Sequence, residues 1–294
     1  MEWEKFSLEN KELFNKYLNN YMGISDFTFT NFFIWSVNRE ISFYEEDESL
    51  GILIKYKNDD PFIFMPIGKN WKNLIFKIKD YFIKQNIKFQ LKSVTEEMLE
   101  LLKKEIGEKN LNIIEERDRF DYIYSVQELI ELSGKKFHKK KNLINNFIKN
   151  NKFEYIKLDK NNINEILKLQ NEWCDKNSCS KDVWLDGEDM GIKNIVKNFE
   201  KLSVVAAAIY VDNRVVAFSI GEQVSSDCVV IHIEKGDSNY QGSYQIMNQM
   251  FLKNEFSHLT YVNREEDLGI EGLRQAKLSY NPLKLIKKYR VEFK

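Results

Sequence analysis

Twice along its 294 residues the chain runs through the same order of hydrophobic periods. Paired strand-like runs lead into an amphipathic helix, a further strand and another helix. A repeat of that order in stretches of about 130 residues points to two successive α/β (α+β) domains rather than one continuous core, with boundaries at 1–130 and 131–294. In the first half, "ISFYEEDESLGILIKYKNDDPFIFMPIG" reads as strands joined by acidic turns. "NWKNLIFKIKDYFIKQ" sets Trp71, Leu74, Ile75, Ile78 and Phe82 at helical spacing, "KFQLKSV" is a strand, and "TEEMLELLKKEIG" is a helix capped by Thr95. A helix capped by Ser7 and a buried helix over "SDFTFTNFFIWS" precede them, and "RFDYIYSV" closes the half as a strand. In the second half "NINEILKLQNEWCDKN" is a helix, and "VVAAAIYVDNRVVAFSIGEQV" is a hairpin turning at Asp212-Asn213. "CVVIHIEK", "SYQIMNQMFLKNEF" and "HLTYVN" follow as strand, helix and strand. A helix from about Leu268 and a last strand in "PLKLIKKYRVEFK" complete the half.

Hydrophobic residues make up 43% and charged residues 30% of the chain, the balance of a soluble globular protein. No apolar run approaches the roughly 18 residues of a membrane span. "MEWEKFSLEN" carries no secretory leader, so a cytoplasmic protein is expected, with Cys174, Cys179 and Cys228 as bystanders in a reducing compartment. With three His in the chain and no second His near His232, no metal site is expected.

Net charge is −1, unevenly spread. Residues 133–162 hold nine Lys against two acids, while the flanking stretches are mildly acidic. Over 133–150 a helix places Phe137, Ile144, Phe147 and Ile148 on one face and Lys135, Lys139, Asn142, Asn146 and Lys149 on the other. Such a ridge is either a solvated face or a seat for a polyanion, for which a sugar-phosphate backbone is the natural partner.

Two further stretches carry chemistry. In "VVIHIEKGDSNYQG", His232 and Glu234 share one face of a strand, the arrangement of a general base with an orienting partner or of a buried His satisfied by a carboxylate. In "NREEDLGIEGLRQAKLSYNP", Asp267 suits an N-cap, and Glu265 and Glu266 suit a helix dipole. Ile270, Leu273, Arg274 and Lys277 then fall within about 100° of a helical wheel, so two cations share the face that should be buried. Either the preceding acids neutralise them or they line a cavity for an anion. Trp173 and Trp184 are expected as core or loop anchors rather than a pocket mouth.

From Ile270 onward the residues resemble a known family. Ile270, Gly272, Leu273, Arg274, Lys277, Tyr280, Pro282 and Tyr289 match the closing pattern of the phosphatidylglycerol lysyltransferase C-terminal domain family. "SGKKFHKKKNLINNF" and "HIEKGDSNYQGSYQIMNQ" resemble segments of its stand-alone soluble branch. The resemblance implies two tandem GNAT-type acyltransferase units of mixed sheet flanked by helices, like the Fem peptidyltransferases. It also implies transfer of an aminoacyl group from a charged tRNA; in membrane-linked relatives the acceptor is a lipid headgroup. Two departures count against coenzyme A. In the run Asn239-Tyr240-Gln241-Gly242-Ser243-Tyr244, Gly242 alone survives from the phosphate-binding glycine pattern, and Tyr244 stands where no side chain is wanted. Gln275 stands where many such enzymes carry a Tyr acid.

The resulting expectation is an aminoacyl- or acyltransferase acting by positioning and electrostatics. Lys277 and Arg274 steady an oxyanion or donor phosphate, Glu234 or His232 accepts the acceptor's proton, and Asn263 and Glu265 orient the acceptor amine. Lys135, Lys136, Lys139 and Lys140 hold the polyanion, while Asp267, Tyr280, Gly242 and Tyr244 line the substrate. The acceptor is a small molecule, peptide or lipid headgroup. A coenzyme A enzyme with a degenerate phosphate loop and a non-catalytic RNA- or peptide-binding module on the same fold are the alternatives.

Overall fold

The computed structural model describes residues 1–18, 23–57 and 59–294. Along the chain come β1 (Glu4–Lys5), α1 (Lys11–Leu18), α2 (Phe29–Trp35), β2 (Arg39–Glu46), β3 (Ser49–Tyr56), β4 (Phe62–Gly68), α3 (Trp71–Lys84), β5 (Gln90–Thr95), α4 (Glu96–Ile106) and β6 (Leu111–Glu115). Then follow β7 (Asp121–Ser125), α5 (Val126–Glu131), α6 (His138–Asn150), β8 (Phe153–Leu158), α7 (Ile166–Asn177), α8 (Val183–Lys197), β9 (Val205–Val211), β10 (Arg214–Gln223) and β11 (Cys228–Gly236). The chain ends with α9 (Ser243–Glu255), β12 (Tyr261–Asn263), α10 (Glu271–Leu278), β13 (Lys284–Ile286) and β14 (Lys288–Phe293).

The strands form two mixed sheets of seven, in the orders β1-β2-β3-β4-β5-β14-β6 and β13-β7-β12-β11-β10-β9-β8. Each sheet contains an antiparallel three-stranded meander leading into a parallel pair. Parallel neighbours need a crossover, and α3 supplies it between β4 and β5, as α9 does between β11 and β12. The repeat in element order is therefore a repeat in topology, as expected of tandem GNAT-like units. The chain forms two compact units, residues 1–121, 266–270 and 285–294 in the first and 122–265 and 271–284 in the second.

Local chemistry explains the elements the sequence foretells. Thr95 accepts a hydrogen bond from the Met98 amide and starts α4; Leu74, Ile75, Ile78 and Phe82 are buried along α3. The β9–β10 turn has Asp212 at φ 49° and Asn213 at φ 60°, the positive pair that a tight hairpin matching strand twist requires. Strands β1, β6 and β8 and helices α5 and α8 are additions to the expected elements, and the single last strand expected is two, β13 in the second sheet and β14 in the first. The expected extension of α1 to Asn19 and Asn20 lies outside the described residues.

Three expectations are corrected. The helix placed from Leu268 begins at Glu271, because Glu265, Leu268 and Gly269 all take positive φ and break the run before it. Asp267 is therefore not its N-cap; its Oδ1 accepts from the Gly269 amide within that turn. Cys174 and Cys179 are not bystanders but a disulfide joining the last turn of α7 to the residues before α8, while Cys228 is buried outside that bond, with its Sγ 3.6 Å from the Val229 carbonyl.

Candidate active site

In the second unit the parallel pairing of β11 with β12 ends at Val230 opposite Asn263. Beyond that point β12 ends while β11 runs on to Gly236, leaving a gap beside β11 at this end of the pair. Arg264, directly after β12, reaches across to Glu234 on β11, with its Nη2 2.7 Å from Oε1. The other carboxylate oxygen of Glu234 accepts from Asn248 of α9 at 3.0 Å. The Arg264 guanidinium also lies 4.8 Å from the Tyr280 ring centre and 5.8 Å from that of Tyr124. Its Nη1 is buried and has no hydrogen-bond partner. Burial opposes the charge on Arg264, but Glu234 keeps it protonated. Burial lifts the Tyr280 hydroxyl to about 12, against the pull of Arg264, so that ring carries a neutral O–H.

His232 sits nearby on β11, its side chain fully buried between two acids. Nδ1 is 2.8 Å from Glu265 and Nε2 is 3.0 Å from Glu222. Burial works against its charge, yet the hydrogen bonds to Glu222 and Glu265 outweigh it and raise its pKa to about 9. At neutral pH the ring is an imidazolium with both N–H groups donated. Each Glu234 oxygen already accepts one hydrogen bond, from Asn248 and from Arg264. Glu265 differs. It uses Oε1 on His232, its amide donates to Asn263 Oδ1 at 2.7 Å, and a fifth of its side chain remains exposed.

Lys277 turns inward onto the backbone. Its ammonium donates to the backbone carbonyls of Arg264 and of Glu265, the latter at 3.2 Å. Its own carbonyl accepts from the Tyr124 hydroxyl at 2.9 Å. It thus pins the segment that carries Arg264 and Glu265. Arg274 is half-buried on α10, a helix with no buried residue; Ile270 and Leu273, which were to pack beside it, are 54% and 36% exposed. The two acids that follow Glu265 have partners in the first unit, Glu266 with Arg119 at 2.8 Å and Asp267 with Arg117 at 3.0 Å.

The basic segment folds as a 3-10 turn, Lys135–Phe137, followed by α6. Phe137, Ile144 and Phe147 are buried as expected, whereas Ile148 is 49% exposed and lies outside the packed face. Lys135 and Lys139 are exposed. Lys136 pairs with Glu128 at 2.6 Å. Lys140 folds over the Tyr280 ring, 4.2 Å from its centre, where burial lowers its pKa and Arg264 pushes the same way.

The turn before α9 is closed by that same helix. Gly242 has φ 93°, and a Cβ there would strike the Leu143 carbonyl of α6 and lie 3.2 Å from Phe147 Cβ. Tyr244 occupies the turn as well, its ring against Gly236 and its hydroxyl accepting from Trp173 Nε1 at 2.9 Å. Trp173 in turn covers the Lys235 ammonium at 3.7 Å and acts as an anchor, while Trp184 is 37% exposed. Helix α6 thus packs closely against the turn at Gly242, and the Tyr244 ring takes space beside Gly236. Among the described residues no group of three or more His, Cys, Asp or Glu could hold a metal ion, and no helix is long and apolar enough to cross a membrane.

Arg264, Glu222 and Tyr124 were not singled out from the sequence. Arg264 had a signal, as a cation directly following a strand end, but the acids beside it drew the helix-cap reading.

With this geometry in place the chain can be compared with known proteins. The family profile "Phosphatidylglycerol lysyltransferase, C-terminal" matches residues 21–292. The chain belongs to this family. An uncharacterized protein of Mycoplasmoides gallisepticum is 28% identical over 174 residues, a match spanning 58% of this chain and 56% of that protein. A conserved protein of unknown function from Bacteroides thetaiotaomicron superposes with a TM-score of 0.92 at 29% identity, covering 99% of both chains. The C-terminal domain of a putative lysylphosphatidylglycerol synthetase from Agrobacterium fabrum gives 0.68 at 11% identity, over 97% of this chain and 92% of that one. FemX gives 0.61 at 10% identity, over 99% and 97%. The last two establish a shared fold with the lysyltransferase and Fem-like acyltransferases.

Proposed function

We propose that this protein transfers an aminoacyl or related acyl group from a polyanionic ester donor of the aminoacyl-tRNA kind to an amine or hydroxyl acceptor. The observation that carries the reading is the Tyr280 ring, which lies between Lys140 of the basic helix and Arg264 of the strand gap. Two cations on one ring, beside an unpartnered guanidinium N–H, form a place short of negative charge where the lysine ridge meets the buried site. The exposed Lys135 and Lys139 hold the donor's phosphates. Arg264 Nη1 donates to the ester carbonyl as it becomes an oxyanion. Glu265, aimed by His232 and Asn263, orients the acceptor and takes its proton. A new acyl bond forms, the ester C–O bond breaks, and the departing hydroxyl receives the proton. Lys277 acts by fixing the backbone of Arg264 and Glu265.

Family membership supports the acyltransfer class, and the close packing of α6 and Tyr244 about the turn before α9 speaks against coenzyme A as donor. A charged-tRNA donor places the reaction in the cytosol, where the Cys174–Cys179 bond is unusual because most thiols there are kept reduced.

The test is to purify the protein from lysate, ask whether tRNA accompanies it, and supply aminoacyl-tRNA labelled on the amino acid. Expected are copurifying tRNA, lost in the Lys135→Glu/Lys139→Glu double variant, and transfer of label to a non-tRNA acceptor. Salt-sensitive RNA binding with no label transfer would leave an RNA-binding module. Calorimetric binding of acetyl-coenzyme A would overturn the choice of donor.

A further inference from the structure

The first unit holds a second cluster of basic side chains, independent of the site above. Five neighbouring strands of its sheet place Arg39 (β2), Tyr56 (β3), Phe62 (β4), Lys92 (β5) and Arg290 (β14) in a row. Arg39 lies opposite Tyr56 and donates to its hydroxyl at 3.1 Å. The Tyr56 and Phe62 rings are 6.0 Å apart, and the Lys92 ammonium is 4.4 Å from the Phe62 ring centre. Arg290 occupies the irregular step between Tyr289, opposite Val94, and Val291, opposite Leu91, which sets it beside Lys92.

These cations are poorly matched. The side-chain bonds of Arg39 go to the neutral groups of Tyr56 and Asn31, and its Nε is buried without a partner. The Nε of Arg290 is likewise buried and unbonded, with Glu292 at 3.9 Å. Burial lowers the pKa of the half-buried Lys92; Glu116 and Asp59 oppose this, while Arg119 and Arg290 add to it. Like charges on adjacent strands, about 5 Å apart, repel and weaken a sheet. Glu292, Glu116 and Asp59 offset part of this, and an anion bridging the pair would relieve the rest.

We propose that Lys92 and Arg290 form an oxyanion site for a phosphate group, with Arg39 and Tyr56 binding the rest of the ligand farther along the row. The guanidinium offers its unbonded N–H groups to phosphate oxygens and Lys92 supplies the second charge. The phosphate belongs either to a small soluble ester or to a lipid headgroup.

Site-resolved NMR on the full chain tests this. Inorganic phosphate, glycerol 3-phosphate and phosphatidylglycerol vesicles are titrated in separate arms, following backbone amides of β4, β5 and β14. Shifts in those strands are expected with at least one probe. Lys92→Met and Arg290→Gln are each expected to raise the apparent Kd by about tenfold or more, and Lys92→Arg to retain binding. The Lys135→Glu/Lys139→Glu variant, which is expected to lose tRNA, should keep the same β5 and β14 shifts with these probes, separating this site from the proposed transferase site. The arm that responds at the lowest concentration identifies the source of the phosphate. No shift in β5 or β14 with any probe, or shifts that survive both Lys92→Met and Arg290→Gln, would overturn the proposal.

Discussion

Lys288 in the first unit and Arg264 in the second are both buried cations, and their surroundings differ in kind. The Lys288 side chain has no exposed surface, and its ammonium is enclosed by Asp121 at 2.6 Å, Asp26, Glu266 at 3.5 Å and the Ser25 hydroxyl at 3.3 Å. Burial opposes its charge, but the three acids more than compensate, and its pKa lies above the usual lysine range. Arg264 has one carboxylate, two aromatic rings and an N–H with nowhere to donate. A buried charge that its own fold satisfies belongs to the scaffold. One left with an open donor is set up for something the chain does not itself supply.

The contrast can be broken first at Lys288. Lys288→Met leaves three acids facing one another without their counter-ion, and should cost about 3–5 kcal/mol of stability in denaturant titration. An unchanged midpoint would mean that the cluster does not hold the unit together.

His232 offers the next largest effect, through pH. Its folded pKa of about 9 lies above the 6.5 of an unfolded imidazole. Its contribution is therefore complete below about pH 6.5 and is lost as pH rises through 9. Stability should fall by about 3 kcal/mol over that interval. His232→Gln should flatten the decline, as seen by thermal denaturation at stepped pH.

Arg264→Gln sharpens the comparison from the other side. Glu234 keeps its bond to Asn248, so the stability cost should be about 2 kcal/mol, smaller than at Lys288. Transfer from aminoacyl-tRNA, in contrast, should drop about 100-fold in turnover. If activity survives while stability collapses, the two cations belong to one class after all.

Much of the fold was legible because it is local. The period of α3, the cap at Thr95 and the Asp212-Asn213 turn are each decided within a few residues of sequence. The destination of β14 is not. It inserts between β5 and β6, and a strand pattern alone does not name its neighbours. The site was legible in its members more than in their tasks. His232, Glu234, Asn263, Glu265, Lys277 and Tyr280 do gather near the gap between β11 and β12, but a helical wheel presumes a core for its apolar side to face. Because α10 buries no residue, the direction the wheel gave Arg274 and Lys277 is not that of a packed core face. Arg264 escaped notice because its importance comes from Glu234, thirty residues upstream, and from Tyr280, sixteen downstream.

The placement of β14 also bears on how the molecule is made. A ribosome delivers β1 through β6 early, but the strand that joins β5 to β6 emerges only after the whole second unit has been synthesised. Vectorial synthesis ordinarily lets the leading unit finish first. Here β6 waits with an open edge, and the trailing unit has all its own residues in hand before the leading sheet can close.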